Sequence, residues 1–226
     1  FHGHVFHSYF GKVKTTIYKT IERNLARKST KIIAISAIQK KELSAIHNIA
    51  KPNKIEIIPL GFDLNKFKEN QKEKRNSFRQ KWLIEDDEIA VGIIGRLVPI
   101  KNHHFFLNVV KNISELATKK VRFIIIGDGE LRGELEDYCK QLKIDFSTEK
   151  NVRNALLTFT SWITDIDVAL AGLDIVALTS KNEGTPVSLI EAQAAGKPIV
   201  TTNVGGIENI VMPNETALLS NINDEQ

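Results

Sequence analysis

Arg96 and Lys101 stand five residues apart, just after the apolar run Ile89–Ile94 and just before a helical pattern that starts near residue 103. Gly92 and Gly95 sit in the same stretch and allow close approach of backbone. Asn102 is placed to cap the helix. Backbone N–H groups, the positive end of a helix and two side-chain cations together make a seat for a diphosphate. The plainer reading is two exposed charges at a strand end. The turn matches neither GxGxxG nor GxxxxGK[ST], so it is not a dinucleotide fingerprint or a Walker loop.

Glu183 and Glu191 form a second pair, eight residues apart. Thr185 reads as an N-cap and Pro186 as the first helical residue, with Gly196 and Pro198 closing that helix. Glu183 then lies in a loop, Glu191 lies in the helix, and both can face one cleft. Two carboxylates so placed accept hydrogen bonds from ribose or sugar hydroxyls. A surface loop acid beside an unrelated helix acid is the competing reading. Gly127-Asp128-Gly129 is a third tight turn, explained equally well by turn chemistry alone. Asp165 and Asp167 match a DxD metal element in form, but they fall in a helical pattern and not after a strand.

These turns need a frame to hold them. Apolar runs at 31–36, 55–58, 89–94, 121–126, 156–159, 174–178 and 198–201 alternate with helical patterns at 13–28, 37–49, 78–83, 103–117, 130–142 and 186–195. Such alternation predicts an α/β fold with parallel sheets. The three turns would then share the carboxyl edge of one sheet, where open α/β sheets bind ligands. Residues 64–77 are polar and highly charged and are expected to be a linker between domains 1–63 and 78–226. In helix 13–28, Ile17, Ile21 and Leu25 make an apolar face. Lys19, Arg23 and Arg27 make a basic stripe opposite, read either as a solvated face or as a contact for anionic headgroups or a lipid-linked acceptor.

Composition narrows the classes. With 42% hydrophobic and 26% charged residues the 226-residue chain is an ordinary globular protein and not a disordered one. A single cysteine, Cys139, excludes an intrachain disulfide and points to a reducing compartment. A net charge of +4, interleaved along the chain and without a nucleic-acid motif, argues against nucleic-acid binding. His103 and His104, at a helix start, read as polar surface.

GRLVPIKN (95–102), IIIGDGELR (124–132), the stretch 172–207 that contains EGTPVSLIE, and IIAIS with IIPLGFD (32–36, 57–63) resemble family 4 glycosyltransferases, which have the GT-B fold. The resemblance covers nearly the whole chain. It implies two Rossmann-like domains, the first incomplete: residues 1–63 would be the end of the acceptor domain and 78–226 a donor domain whose last helices are missing. It implies that Gly95, Arg96 and Lys101 hold the donor diphosphate, that Glu191 binds the ribose, and that Glu183, Gly184, Thr185 and Pro186 surround the donor sugar and its phosphates. Ser161, Trp162 and Ile163 match the segment near the base, with serine where the family often has glycine before Trp.

The same resemblance places His2 at the end of an acceptor-domain strand, facing the donor sugar, with a neutral imidazole available for hydrogen bonding. His4 is a nearby alternative. His2, His4 and His7 have no carboxylate or cysteine at ligand spacing, so no metal site is expected. The implied activity is retaining, metal-independent transfer of a sugar from a nucleotide-diphosphate sugar, such as a UDP- or GDP-sugar, to a hydroxyl of a saccharide or lipid-linked acceptor. The implied setting is polysaccharide or glycolipid synthesis in the cytoplasm, with peripheral contact at the inner membrane face. A GT-B sugar-nucleotide epimerase and a non-catalytic nucleotide-binding module are the alternatives.

Overall fold

The computed structural model describes residues 12–148, 155–222 and 224. The chain divides into two compact units, Phe1–Phe62 and Asp63–Gln226.

The first unit contains helix α1 (Lys12–Lys28), strand β1 (Ile32–Ala34), the short helix α2 (Ala37–Lys41) running into a π turn at Glu42–Ile46, and strand β2 (Ile55–Ile57). Strands β1 and β2 are parallel, with Ile32 opposite Ile55 and Ala34 opposite Ile57. Ser36 caps α2 by accepting from the N–H of Gln39. The expected apolar face of α1 is not its buried face. Ile17, Ile21 and Leu25 are 54%, 47% and 54% exposed, whereas Ala26 is buried with Ile32, Ala34, Leu43, Ile49 and Ile55. Among the described residues, β1 and β2 make a core of those few side chains, and the small side chain of Ala26 lets α1 sit against it.

The second unit begins with a 3₁₀ turn (Asn65–Phe67) and helix α3 (Gln71–Trp82). The expected linker at 64–77 is therefore structure. Phe67 is 1% exposed, and Phe78 and Trp82, one helical turn apart, enter the same core. The charges that suggested a linker are anchored instead. Lys74 pairs with Asp167 at 2.8 Å, and Arg75 pairs with Asp174 at 2.9 Å. Arg79, 3% exposed, reaches Asp174 at 3.1 Å and donates to the carbonyls of Gly172, Glu85 and Glu88.

Seven parallel strands follow: β3 (Ile89–Ile94), β4 (Val121–Ile126), β5 (Phe146–Ser147), β6 (Leu157–Phe159), β7 (Ile175–Leu178), β8 (Ile199–Thr202) and β9 (Ala217–Ser220). Their order is β5-β6-β4-β3-β7-β8-β9. Helices α4 (His103–Leu116) and α5 (Arg132–Gln141) cover one face, and α3, α6 (Ile166–Gly172) and α7 (Val187–Ala194) cover the other. Strand β4 shows why its sequence is a continuous apolar run. Phe123 and Ile125 enter the α4/α5 core while Ile124 and Ile126 enter the α3/α6/α7 core. The strand order reverses between β3 and β7, so the crevice beyond their carboxyl ends is the topological switch point. No helix among the described residues is long and apolar enough to cross a membrane.

Candidate active site

The loop after β3 starts at Gly95, whose N–H donates to the last carbonyl of β4, Ile126. Leu97, wholly buried, ties this loop to the β4 turn in both directions: its N–H donates to Asp128 O at 3.0 Å and its carbonyl accepts from Leu131 N at 3.1 Å. The β4 turn fits only because it lacks side chains. Gly127 has φ +144, and a Cβ there would lie 1.9 Å from Gly95 O; one at Gly129 would lie 2.5 Å from Leu97 O. The loop then makes a 3₁₀ turn at Pro99–Lys101, and Asn102 enters α4 with φ 53 and ψ 48. Asn102 is at the N-cap position as expected, but its side chain makes no capping bond.

The loop after β7 is stitched to this one. Thr179 Oγ1 donates to Lys101 O at 3.1 Å and to Asn102 O at 3.2 Å, and Lys181 N–H donates to Ile100 O at 2.8 Å. Those bonds bring Lys101 to Glu183: the ammonium lies 2.5 Å from Oε1, and Ser180 Oγ donates to the same oxygen at 2.5 Å. Arg96 lies exposed on the same β3 loop. The loop after β8 supports Glu183 and Gly184 from behind. Gly206 N–H donates to Glu183 O at 3.0 Å; a Cβ on Gly205 (φ +56) would lie 1.9 Å from that carbonyl, and one on Gly206 would lie 1.9 Å from Gly184 O. Helix α7 begins at Val187 with Pro186 at the cap position, so the expected Thr185 cap is displaced by one residue. The helical turn starts after the proline because Pro186 keeps an extended ψ of 104.

Glu191 lies within α7, half-buried. Burial, above all, raises its pKa; the ammonium of Lys66 opposes this and the carboxylate of Asp167 adds to it. Trp162 follows β6 and is 62% exposed, while Ile163 packs partly into the α3/α6/α7 core. Of the two acids that match DxD only in form, Asp167 is held by Lys74. His2, His4 and His7 lie outside the described residues.

Two features escaped sequence reading. Asp128 joins the β4 and β6 turns: Oδ2 accepts from Ser161 Oγ and Oδ1 from Gly129 N–H, both at 2.8 Å. The Ser161 bond, with the Gly129 N–H and Arg132, holds its carboxyl below the usual carboxylate range. Arg132 itself lies 4.6 Å over the Phe159 ring and pairs with Glu136. Leu97 and the glycines at 127 and 129 were visible in the sequence, but the Ser161–Asp128 contact spans 33 residues and carries no local pattern. The second feature is His103, expected on the surface but wholly buried at the first position of α4. Burial, followed by the charges of Lys101 and His104, pushes its pKa down to about 4.

Comparison with known proteins gives a consistent result. The model of the family "Glycosyl transferases group 1" matches residues 74–226. The UDP-Gal:alpha-D-GlcNAc-diphosphoundecaprenol alpha-1,3-galactosyltransferase of Escherichia coli is 33% identical over 235 residues, which is 99% of this chain and 55% of the relative. A D-inositol 3-phosphate glycosyltransferase of Segniliparus rotundus is 26% identical over 82% of this chain and 40% of its own length. Among solved structures, HepE of Anabaena in complex with UDP and glucose aligns with a TM-score of 0.80 at 23% identity, covering 99% of this chain and 57% of that one. WaaG, a glycosyltransferase involved in lipopolysaccharide biosynthesis, aligns with a TM-score of 0.70 at 20% identity over 84% of this chain and 48% of its own. The chain spans about half the length of the curated relatives it matches. The fold is that of the GT-B glycosyltransferases, and the chain belongs to the glycosyl transferases group 1 family.

Proposed function

We propose that residues 63–226 are the donor-binding part of an enzyme that transfers a hexose from a nucleotide-diphosphate sugar to a hydroxyl acceptor, with retention and without a metal. The Lys101–Glu183 contact at the β3/β7 switch point carries the proposal. It puts a cation for the leaving diphosphate and an acid for sugar hydroxyls side by side. Arg96, on the same loop, and the N-terminus of α4 add to the positive field in which leaving-group charge develops. Gly95 lies beside the Lys101 stem, which a Cβ there would meet at an ordinary contact distance of 3.6 Å. Gly184, Thr185 and Pro186 then border the sugar and phosphates, Glu191 takes the ribose, and Trp162 with Ile163 borders the base.

The uridine form of the donor is favoured because the aligned HepE structures hold UDP with glucose and UDP-glucose. The Escherichia coli relative is named for a diphosphoundecaprenol-linked acceptor, which supports a saccharide or lipid-linked acceptor met at the cytoplasmic face of a membrane. His2 is the proposed group on the acceptor side.

The test is transfer from a panel of nucleotide sugars by the full-length enzyme in EDTA, with the product anomer read by NMR. The proposal expects an acceptor-dependent product of unchanged configuration, with kcat lowered about 10²-fold or more in Lys101→Ala. Product formed without acceptor would instead identify an epimerase. Nucleotide binding without any transfer would identify a binding module.

A further inference from the structure

The first unit holds a hollow of about 570 Å³ that the donor site does not use. Its walls come from the last turns of α1, the π turn, and the 48–54 loop that leads into β2. That loop precedes a parallel strand, so the hollow lies at the amino ends of β1 and β2. Ligands of parallel α/β sheets sit at the other end, beyond the carboxyl ends.

Four cations line the hollow: Arg23, Arg27, Lys51 and Lys54, with no acid among its described lining residues. Three of the four are held by neutral groups, Arg27 by Asn24 Oδ1, which accepts from its guanidinium at 3.4 Å. Arg23 donates to His47 O at 2.8 Å and to Asn48 O at 3.0 Å, and Lys54 Nζ donates to Arg27 O at 3.2 Å. A carbonyl fixes a cation in place without cancelling its charge. The acid on β2, Glu56, is taken by Lys31 at 2.6 Å. Like charges gathered around one cavity with no counter-charge repel, and a bound anion relieves that repulsion. Guanidinium forks suit phosphate oxygens in particular. Arg23 and Arg27 are also the last two members of the basic stripe on α1, so the stripe ends in a cavity and not on a plain solvated face.

We propose that this hollow binds a phosphate-bearing anion, a phosphate monoester or diphosphate, at a seat separate from the donor diphosphate.

Inorganic pyrophosphate is the probe, titrated by calorimetry against the purified chain. The expected result is two pyrophosphates per chain. Lys51→Gln/Lys54→Gln, on the surface loop, should remove one of them without lowering the melting temperature of the ligand-free protein, since it also relieves repulsion among the lining cations. Lys51→Arg/Lys54→Arg should restore it, and Arg27→Gln should weaken it several-fold. Arg96→Gln/Lys101→Gln should remove the other. If that last variant loses no site, the donor reading fails while the hollow stands. If Lys51→Gln/Lys54→Gln and Arg27→Gln both bind pyrophosphate as the wild type does, the proposal is overturned. Vesicles of phosphatidic acid in phosphatidylcholine separate the sources. Co-sedimentation of the wild type, lost in Lys51→Gln/Lys54→Gln, assigns the phosphate to a lipid headgroup. Pyrophosphate binding without co-sedimentation assigns it to a soluble phosphorylated ligand.

Discussion

Lys101 Nζ lies 2.5 Å from Glu183 Oε1 although 82 residues separate them in the chain. In the ligand-free protein each neutralises the other, so on the proposed reading a donor diphosphate would have to draw the ammonium away before it could use the full charge. Glu183→Gln therefore has two opposite effects. It should raise the affinity for UDP alone several-fold, on the order of 1 kcal/mol for a partly shielded pair. It should also lower the preference for nucleotide sugar over UDP, because the acceptor proposed for sugar hydroxyls is lost. Calorimetric titration with both ligands measures this, and equal weakening of both would count against it.

The glycines at the sheet edge are ranked by what a methyl group would meet. Gly127→Ala and Gly206→Ala each drive a Cβ to 1.9 Å from a backbone oxygen, Gly95 O and Gly184 O respectively. Each should cost about 1–3 kcal/mol, and Gly206→Ala should also weaken donor binding by shifting the 183–186 loop. Gly133, in α5, has nothing within 4 Å of a built Cβ, so Gly133→Ala should be neutral or stabilising by about 0.5–1 kcal/mol. Urea unfolding midpoints decide the ranking.

Arg79 ties α3 to the amino edge of the sheet. Its replacement by Ala leaves Asp174 part-buried with fewer partners and should cost about 3–5 kcal/mol. Burial works against ionisation of Asp174, but the Ala90 N–H, Arg79 and Arg75 outweigh it and lower its pKa below 3.8. A depressed acid contributes stability above its unfolded pKa and loses it as pH falls through the folded one. The stability gap between wild type and Asp174→Asn should thus narrow as pH drops below about 4. A gap that widens with acid would contradict the assignment.

His103 has the opposite chemistry and a higher window. Its folded pKa of about 4 lies below the ordinary 6.5, so the unfolded chain binds the proton more readily between those values. Stability is complete above pH 6.5 and falls as pH drops towards 4, by up to about 3 kcal/mol. His103→Gln should flatten that slope in unfolding curves between pH 7.5 and 4.5. Parallel curves for the two proteins would show that His103 is not the titrating group.

The parallel core was legible because its signal is local. Val121–Ile126 and Ile89–Ile94 are apolar at every position or nearly so, and both strands have the predicted ends. Residues 64–77 misled because their charges are satisfied by distant partners, Lys74 by Asp167 and Arg75 by Asp174, which no window around the helix contains. The apolar stripe of α1 was visible, yet the small first core takes Ala26 instead. The Arg96/Lys101 and Glu183/Glu191 spacings were plain in the sequence. The bonds of Thr179 to the 101–102 carbonyls, which make a contact of Lys101 and Glu183, depend on strand order and were not.

Thermal shift with UDP-, GDP- and ADP-sugars, on the full-length protein and on Lys101→Ala, tests the central claim most directly. One nucleotide sugar should stabilise the wild type by about 2.7 kcal/mol at a hundredfold excess over Kd, and Lys101→Ala should abolish the shift. A shift of the same size in Lys101→Ala, or no shift with any nucleotide sugar, would contradict the placement of a donor diphosphate between the β3 and β7 loops.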